Sequence, residues 1–206
     1  MNNHPLFFDP KQPVGFWFGN LPHWEQTGKI TFVTFRLKDS MPQEVINTYK
    51  EIKNEFIRTH PQPWTPETYT EYNKVYTASM ERYVDSGYGS CILKSPYVRK
   101  HLVDAIEYYD NNRYIIYAYV IMPNHVHILL SVFPGYELNE LISSVMRFSA
   151  TRINRHTGRS GVLWQEEPFD TLVRSYNHYL HLVNYIRENP QALQTDMYQL
   201  GGLEFK

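Results

Sequence analysis

Residues 113–133 read RYIIYAYVIMPNHVHILLSVF, and this stretch decides the fold. Two runs rich in Ile, Val and Tyr flank Pro123 and Asn124, and residues of these types favour strands. A Pro-Asn pair between two such runs favours a tight turn. We therefore predict an antiparallel hairpin with strands over 113–122 and 125–133.

Regular elements flank the hairpin, and their order indicates the fold class. Alternating β-branched residues predict strands, and apolar residues at helical spacing predict helices. The predicted elements in chain order are a strand over 29–37, a helix after Ser40, a helix over 96–109, the hairpin, a helix over 137–156, a strand-like segment over 161–173 and a helix over 175–188. This order predicts an α+β fold with helices packed on an antiparallel sheet.

The length of 206 residues suits a single domain. Four prolines in residues 1–28 predict an irregular N-terminal arm. The main domain is expected over residues 29–190, with an insertion at about 59–95 that begins in a proline-rich segment. Residues 191–206 are expected to form a C-terminal tail.

Composition excludes several classes of protein. The single cysteine, Cys91, excludes an internal disulfide framework and a four-cysteine zinc site. The longest apolar stretch, 114–122, is far shorter than the roughly 20 residues of a membrane-spanning helix. No signal peptide is recognisable at the N-terminus, so we expect a soluble cytoplasmic protein without a membrane partner.

His125 and His127 are the first candidate site residues. They are two positions apart on a predicted strand, so their imidazoles project from the same face. Two neutral imidazoles side by side form a partial site for a divalent cation. A chain with nine histidines can also contain such a pair by chance, and the alternative is a surface or hydrogen-bonded pair.

The last predicted helix carries the second candidate. At about 100° per residue, one side of this helix holds His178, His181, Tyr185 and Asn189. Most of the 17 tyrosines must be packing residues, but Tyr185 shares its side with polar residues. A phenol with a pKa of about 10 is a weak nucleophile at neutral pH. It becomes useful against a phosphodiester when a metal ion polarises the phosphate.

The net charge of −1 hides two regions of opposite charge. Residues 39–86 contain eight acidic and five basic residues, whereas residues 141–165 contain four arginines and no acidic residue. These arginines are Arg147, Arg152, Arg155 and Arg159. The acid-free stretch favours a polyanionic partner, and the alternative is a solvated helix face.

These motifs together resemble the single-tyrosine HUH transposases, and most closely the REP-associated tyrosine transposases of the IS200-like type. The matching segments, in order, are TFVTFRL at 31–37, MPNHVH at 122–127, an arginine-containing helix, GVLWQ at 161–165, FD at 169–170 and YIRENP at 185–190. Taken jointly and in this order they are specific to the family, although no single motif is.

The resemblance implies a ferredoxin-like antiparallel sheet with helices packed on it and a metal-dependent activity on single-stranded DNA. It implies that His125 and His127 bind Mg²⁺ or Mn²⁺, with Asn189 as a further ligand. Tyr185 would be the nucleophile of a DNA strand transferase that leaves a 5′-phosphotyrosine link and a free 3′-hydroxyl. The substrate would be hairpin-containing DNA, handled by a monomer or a homodimer.

The expected DNA contacts are Arg147, Arg152, Arg155, Arg159, His178 and His181. Trp164 could stack on a base or be buried.

Two other functions remain open from the sequence. The first is a non-catalytic nucleic-acid-binding module on the same fold. The second is a small-molecule metallohydrolase, which needs a third strong ligand. His178 or His181 could provide that ligand if either faces the histidine pair.

Overall fold

The structure is a computed structural model that describes residues 6–18, 22–61, 64–65, 67–72, 74 and 83–205. Seven strands and four helices of twelve or more residues form the described part of the chain. In chain order they are β1 (Gly15–Phe18), β2 (Pro22–Glu25), β3 (Ile30–Arg36), α1 (Gln43–Thr59), α2 (Pro96–Glu107), β4 (Tyr114–Ile121), β5 (His125–Val132), α3 (Leu138–Thr157), β6 (Phe169–Leu172), α4 (Tyr176–Glu188) and β7 (Gln199–Gly201).

The main sheet has five antiparallel strands in the order β6-β3-β5-β4-β7. The predicted hairpin provides β4 and β5 at its centre. Helices α1 and α2 connect β3 to β4, and α3 connects β5 to β6. Two βαβ-type halves with this strand order make a ferredoxin-like sheet. The expected fold class is therefore confirmed.

The two faces of the sheet are covered by different helices. On β5, Val126 and Ile128 pack with residues of α2 and α3. Leu129 points the other way and packs with residues of α4. Because side chains alternate along a strand, His125 and His127 share the face of Leu129. The sheet therefore presents the histidine pair to α4 and keeps α3 on the opposite face.

The helix ends follow from local sequence. Ser175 precedes α4, and its hydroxyl accepts a hydrogen bond from the backbone N–H of His178. Helix α3 ends at Gly158, which has a φ of 66°, a left-handed conformation that glycine adopts without steric cost. None of the helices in the described residues is both long and apolar enough to cross a membrane.

Both ends of the chain contain more regular structure than the sequence indicates. The arm over residues 1–28 is not irregular throughout, since β1 and β2 form a separate two-stranded antiparallel sheet. The tail over 191–206 adds β7 to the edge of the main sheet beside β4. Within 161–173 only β6 is a strand, and Trp164 forms an isolated bridge with Leu37.

The predicted insertion at 59–95 is described only in part, since residues 62–63, 66, 73 and 75–82 lie outside the described residues. Its last section returns to the main sheet. The buried side chain of Val84 belongs to a hydrophobic cluster with residues of α1 and β6. Asn124, in the turn that precedes β5, donates hydrogen bonds to the carbonyl oxygens of Val84 and Tyr88, so residues 83–90 lie beside that turn.

Candidate metal centre and nucleophile

The two histidines of β5 lie in the interior of the protein. The exposed fractions of His125 and His127 are 0% and 1%, and their ring centroids are 4.7 Å apart. The expectation that both rings project together is correct. The pair is not a surface pair, because α4 and residues 83–90 cover this face.

Asn124 fixes the protonation of His125. The side-chain amide N–H groups of Asn124 donate to the carbonyl oxygens of Val84 and Tyr88, at 3.0 Å in each case. Since those oxygens can only accept, the amide oxygen of Asn124 must point towards His125, whose Nδ1 lies 2.8 Å away. His125 therefore carries its proton on Nδ1 and leaves the lone pair of Nε2 available.

Asp85 is the third residue of the cluster. Its Oδ1 lies 3.4 Å from Nε2 of His125, and that Nε2 has no hydrogen-bond partner among the described residues. One ligand atom from each of Asp85, His125 and His127 lies within 4.8 Å of the others. Among the described residues, no other group of histidine, cysteine and carboxylate side chains meets this condition.

The segment that carries Asp85 is held by backbone contacts. Gly89 has a φ of +94°, and an added Cβ would lie 2.4 Å from the carbonyl oxygen of Asp39. The next residue, Ser90, donates its backbone N–H to the Asp39 carboxylate at 3.0 Å. These contacts and the two bonds from Asn124 position Asp85 at the mouth of the site, where 39% of its side chain is exposed.

Tyr185 lies next to His127, whereas Asp85 lies next to His125. Its hydroxyl oxygen is 3.4 Å from Nε2 of His127, and the two ring centroids are 5.1 Å apart. Phe32 stacks on the imidazole of His127 at 5.2 Å and meets the ring of Tyr185 edge-on at 6.1 Å. The hydroxyl of Thr34 is 2.7 Å from Nδ1 of His127. The phenol is thus held with its oxygen next to Nε2 of His127.

Asn189 lies one helical turn beyond Tyr185. It keeps helical backbone angles although Pro190 follows, and its backbone N–H donates to the carbonyl of Tyr185 at 2.9 Å. Its side-chain Nδ2 donates to Oδ1 of Asp85 at 3.3 Å. Its Oδ1 is buried without a hydrogen-bond partner among the described residues. Asn189 thus connects the tyrosine helix to the Asp85 carboxylate.

Burial sets the electrostatics of the cluster. It lowers the pKa of His127 to about 3. Burial, and next the adjacent His127, lower the pKa of His125 well below its usual value. Burial also raises the pKa of Asp85, an effect that the hydrogen bond from Asn189 partly offsets. Both imidazoles are consequently neutral at pH 7, which is the form that binds metals.

The residues present fit a divalent cation. The orphaned Nε2 of His125 faces a carboxylate across a gap with no hydrogen bond, and a cation between them would satisfy both groups. Two imidazole nitrogens and one carboxylate oxygen are a mixed nitrogen and oxygen donor set. Such a set suits Mn²⁺ better than Mg²⁺, which prefers oxygen ligands and retains its waters.

Other residues predicted for the site lie elsewhere. His178 is half-buried and accepts at Nδ1 from the backbone N–H of Arg174 at 3.3 Å, while His181 is exposed. Neither belongs to the candidate group of Asp85, His125 and His127, so neither is placed to provide the third ligand that the metallohydrolase alternative needs; the third residue of that group is Asp85. Trp164 is buried and donates to the Ser149 hydroxyl at 3.1 Å, so the alternative of base stacking is also wrong.

The four predicted arginines divide into two groups. Arg147, Arg152 and Arg155 are exposed on α3, which packs on the face of the sheet opposite the histidine pair. Arg159 lies just beyond α3, where its guanidinium donates to the Ser90 hydroxyl at 3.4 Å. The structure therefore brings none of the three α3 arginines to the candidate group of Asp85, His125 and His127.

Sequence reasoning missed Asp85, Thr34 and the role of Asn124. Thr34 is the cross-strand neighbour of His127 in the β3–β5 pair, so knowledge of the strand order would have indicated that Thr34 lies beside this histidine. Asn124 is part of the quoted MPNHVH motif, where a side-chain amide before a histidine can set its tautomer. No sequence signal marks Asp85, because it lies in the insertion that matches no predicted element.

Residues 89–189 match the family model described as Transposase IS200 like. The matched segment contains His125, His127 and Tyr185, and the family resemblance stated from the motifs is confirmed. No curated protein matches the chain.

Two similar solved structures are both distant in sequence. The structure of a REP-associated tyrosine transposase bound to a REP hairpin is 14% identical, with 85% of this chain and 74% of that chain covered and a TM-score of 0.46. A crystal structure of a candidate transposase from Deinococcus radiodurans R1 is also 14% identical. There, 78% of this chain and 89% of that chain are covered, with a TM-score of 0.33.

Proposed function

We propose, on the premise that residues 89–189 belong to the IS200-like transposase family, that this protein cleaves and rejoins single-stranded DNA through a tyrosine nucleophile. The proposal names Tyr185 as the nucleophile and Asp85, His125 and His127 as the residues that hold a divalent cation. Asn189 is proposed as a further ligand through its amide oxygen. The DNA substrate is expected to contain a hairpin near the cleaved phosphate.

One observation carries this proposal. The hydroxyl of Tyr185 lies 3.4 Å from Nε2 of His127, and His127 belongs to the candidate metal-binding group. A scissile phosphate next to the histidine pair would therefore be within reach of the phenol oxygen. Bringing nucleophile and substrate into contact in this way accounts for a large part of the barrier reduction in enzymes.

A bound divalent cation would polarise the scissile phosphate and stabilise the negative charge that develops on it. The residues of the chain prepare the nucleophile. Phe32 and Thr34 hold His127 and the ring of Tyr185 in place. The phenol oxygen attacks phosphorus and loses its proton, while the bond to the 3′ oxygen breaks and that oxygen takes up a proton.

The product of this step retains the phosphodiester energy. One phosphorus–oxygen bond replaces another, so the link between Tyr185 and the 5′ phosphate is reversed when a 3′-hydroxyl attacks it. Strand transfer thus requires no external energy source. Tyr185 lies on α4, and Asn189 follows one turn later. Movement of α4 would therefore shift the nucleophile together with the hydrogen bond from Asn189 to Asp85.

The test is the formation of a covalent adduct. Purified protein is incubated with Mn²⁺ and 5′- and 3′-labelled single-stranded DNA that contains a hairpin, and the products are separated under denaturing conditions. We expect an adduct with the fragment downstream of the cleavage, and its loss in Tyr185→Phe. Tyr176→Phe is the matched control, since Tyr176 is an exposed residue of the same helix.

The outcomes separate this function from its alternative. Adduct formation that persists in Tyr185→Phe overturns the assignment of the nucleophile. Salt-dependent binding of DNA without any adduct or cleavage, unchanged in His125→Ala, supports the non-catalytic binding module instead.

A further inference from the structure

A groove beside α1 begins at the edge of the metal cluster and is separate from it. Its volume is about 440 Å³, and it is lined by α1, by β3 and by residues just before and within β6. Thr34 contributes to its lining, and the Thr34 hydroxyl is the group that lies 2.7 Å from Nδ1 of His127. One end of the groove is therefore a single side chain away from a proposed metal ligand.

The groove continues along the protein surface. A second depression of about 460 Å³ shares Lys38, Gln43 and Ile46 with it, so the two are contiguous. Arg159 and Ser90 line this second depression. We call the two depressions together the basic groove.

Positive charge exceeds negative charge along the basic groove. Its basic side chains are Arg36, Lys38, Lys50, Lys53 and Arg159, and its acidic side chains are Asp39, Glu166 and Glu167. Two of the three acidic groups already have partners. The Oε1 atom of Glu167 lies 3.0 Å from Nε2 of His23, and the Asp39 carboxylate accepts from the backbone N–H of Ser90 at 3.0 Å.

Lys50 and Lys53, the two lysines of α1, have no carboxylate partner in an ion pair among the described residues. Lys50 and Lys53 are three residues apart on the helix and both line the groove. Burial lowers the pKa of Lys53, Glu167 raises it to a lesser degree and the neighbouring charge of Lys50 lowers it. Two like charges in one groove favour an anionic ligand that bridges them.

We propose that the basic groove binds the phosphates of the single-stranded DNA next to the cleavage site, with Lys50 and Lys53 as the principal phosphate contacts. This proposal rests on the proposed function, and it assigns the path of the strand to the α1 side of the sheet. Ammonium groups on long side chains suit a flexible phosphate chain, because they contact phosphates without requiring one geometry. Amide side chains from Gln43, Asn54 and Gln165 in the same groove can bind sugars and bases.

The experiment measures how salt affects the affinity for a 20-nucleotide oligothymidylate. In single strands each neutralised phosphate contributes about 0.7 to the slope of log affinity against log salt concentration. Lys50→Gln with Lys53→Gln should reduce that slope by about 1.4 and weaken binding about tenfold at 0.15 M salt. Lys50→Arg with Lys53→Arg retains both charges and should keep the wild-type slope.

The matched control is Lys11→Gln with Lys100→Gln. These two exposed lysines lie outside the basic groove, and their substitution removes the same amount of positive charge as the test variant does. The control should bind as the wild type does. Thermal unfolding of each variant confirms that it is folded at the assay temperature.

The results distinguish the groove from the proposed function. A reduced slope in the Lys50 and Lys53 glutamine variant supports the groove even if the wild type forms no adduct, and in that case only the proposed function fails. A wild-type slope in that variant, with an adduct that Tyr185→Phe abolishes, overturns the groove and leaves the function intact. Absence of salt-dependent binding by the wild type also overturns the groove.

Discussion

Asn124 should control metal affinity although its side chain is not a proposed ligand. Its amide oxygen holds the Nδ1–H of His125, and its N–H groups hold the carbonyls of Val84 and Tyr88 on either side of Asp85. Asn124→Ala removes all three hydrogen bonds at a position that is 1% exposed. The substitution therefore loosens two ligands at once, one on the strand and one on residues 83–90.

The expected size of the effect follows from these contacts. Each lost hydrogen bond of a buried group costs about 1 kcal/mol, so the free energy of unfolding should fall by about 2–4 kcal/mol. Loss of a group that orients a metal-binding histidine lowers metal affinity by about 10- to 100-fold. Asn124→Asp separates the two roles. It retains an acceptor for the Nδ1–H of His125 but loses both donors to Val84 and Tyr88, so it should destabilise the protein as much and lower the metal affinity less than Asn124→Ala does.

The assay combines calorimetric titration with Mn²⁺ and denaturant unfolding of the same samples. Asn112→Ala, at an exposed position in the turn before β4, should match the wild type in both. A folded Asn124→Ala variant with unchanged Mn²⁺ affinity would refute the reasoning that this amide sets the tautomer of His125 and the place of Asp85.

Three further predictions address other parts of the account. Asp85→Asn removes the one carboxylate of the cluster and should lower Mn²⁺ affinity at least tenfold, as measured by the same titration. Burial alone would lower the pKa of His23, but hydrogen bonds and charges from Asp170 and Glu167 outweigh it and raise the pKa to about 9. His23 therefore stabilises the fold fully below about pH 6.5, and up to about 3 kcal/mol should be lost as the pH rises through 9. Unfolding at pH 6.5 and pH 9 checks this, and His23→Gln should remove most of the difference. Arg147→Gln with Arg152→Gln, on the far face of the sheet, should weaken DNA binding in a filter-binding assay but leave the adduct rate at saturating DNA unchanged; a slower rate there would contradict their placement away from cleavage.

The parts of the fold that depend on local pattern were predictable from sequence. Residues 113–133 contain two β-rich runs around a Pro-Asn turn, and they form β4 and β5. The shared face of His125 and His127 follows from strand alternation alone. Tyr185 was distinguishable from the other tyrosines because it lies on the polar side of an amphipathic helix, and its hydroxyl lies 3.4 Å from Nε2 of His127.

The parts that depend on distant contacts were not predictable. Asp85 reaches the site because the side chain of Asn124 donates hydrogen bonds to the carbonyl oxygens of Val84 and Tyr88. These two residues precede Asn124 by 40 and 36 positions in the sequence. No periodicity in the sequence encodes such a contact. The strands β1 and β2 lie in a proline-rich segment, where composition favours irregular structure. There His23 pairs with Asp170, 147 residues away, and fastens β2 to β6.

The arginines of α3 show a different limit of sequence reasoning. An acid-free stretch correctly indicated exposed positive charge, but it does not tell which face of the sheet the helix covers. Connection order decides that, since α3 crosses over the face that carries Val126 and Ile128. The lysines of α1 lie in a region with an excess of acidic residues, so composition concealed the basic groove.

Identification of the residue that carries the DNA tests the central claim most directly. After reaction with Mn²⁺ and hairpin DNA, nuclease and trypsin digestion should leave a nucleotide on the peptide of residues 175–187, which contains Tyr176, Tyr179 and Tyr185. Fragmentation by mass spectrometry locates the modified side chain. The account predicts a 5′-phosphate link on Tyr185. A link on Tyr176, Tyr179 or any residue outside this peptide would contradict it.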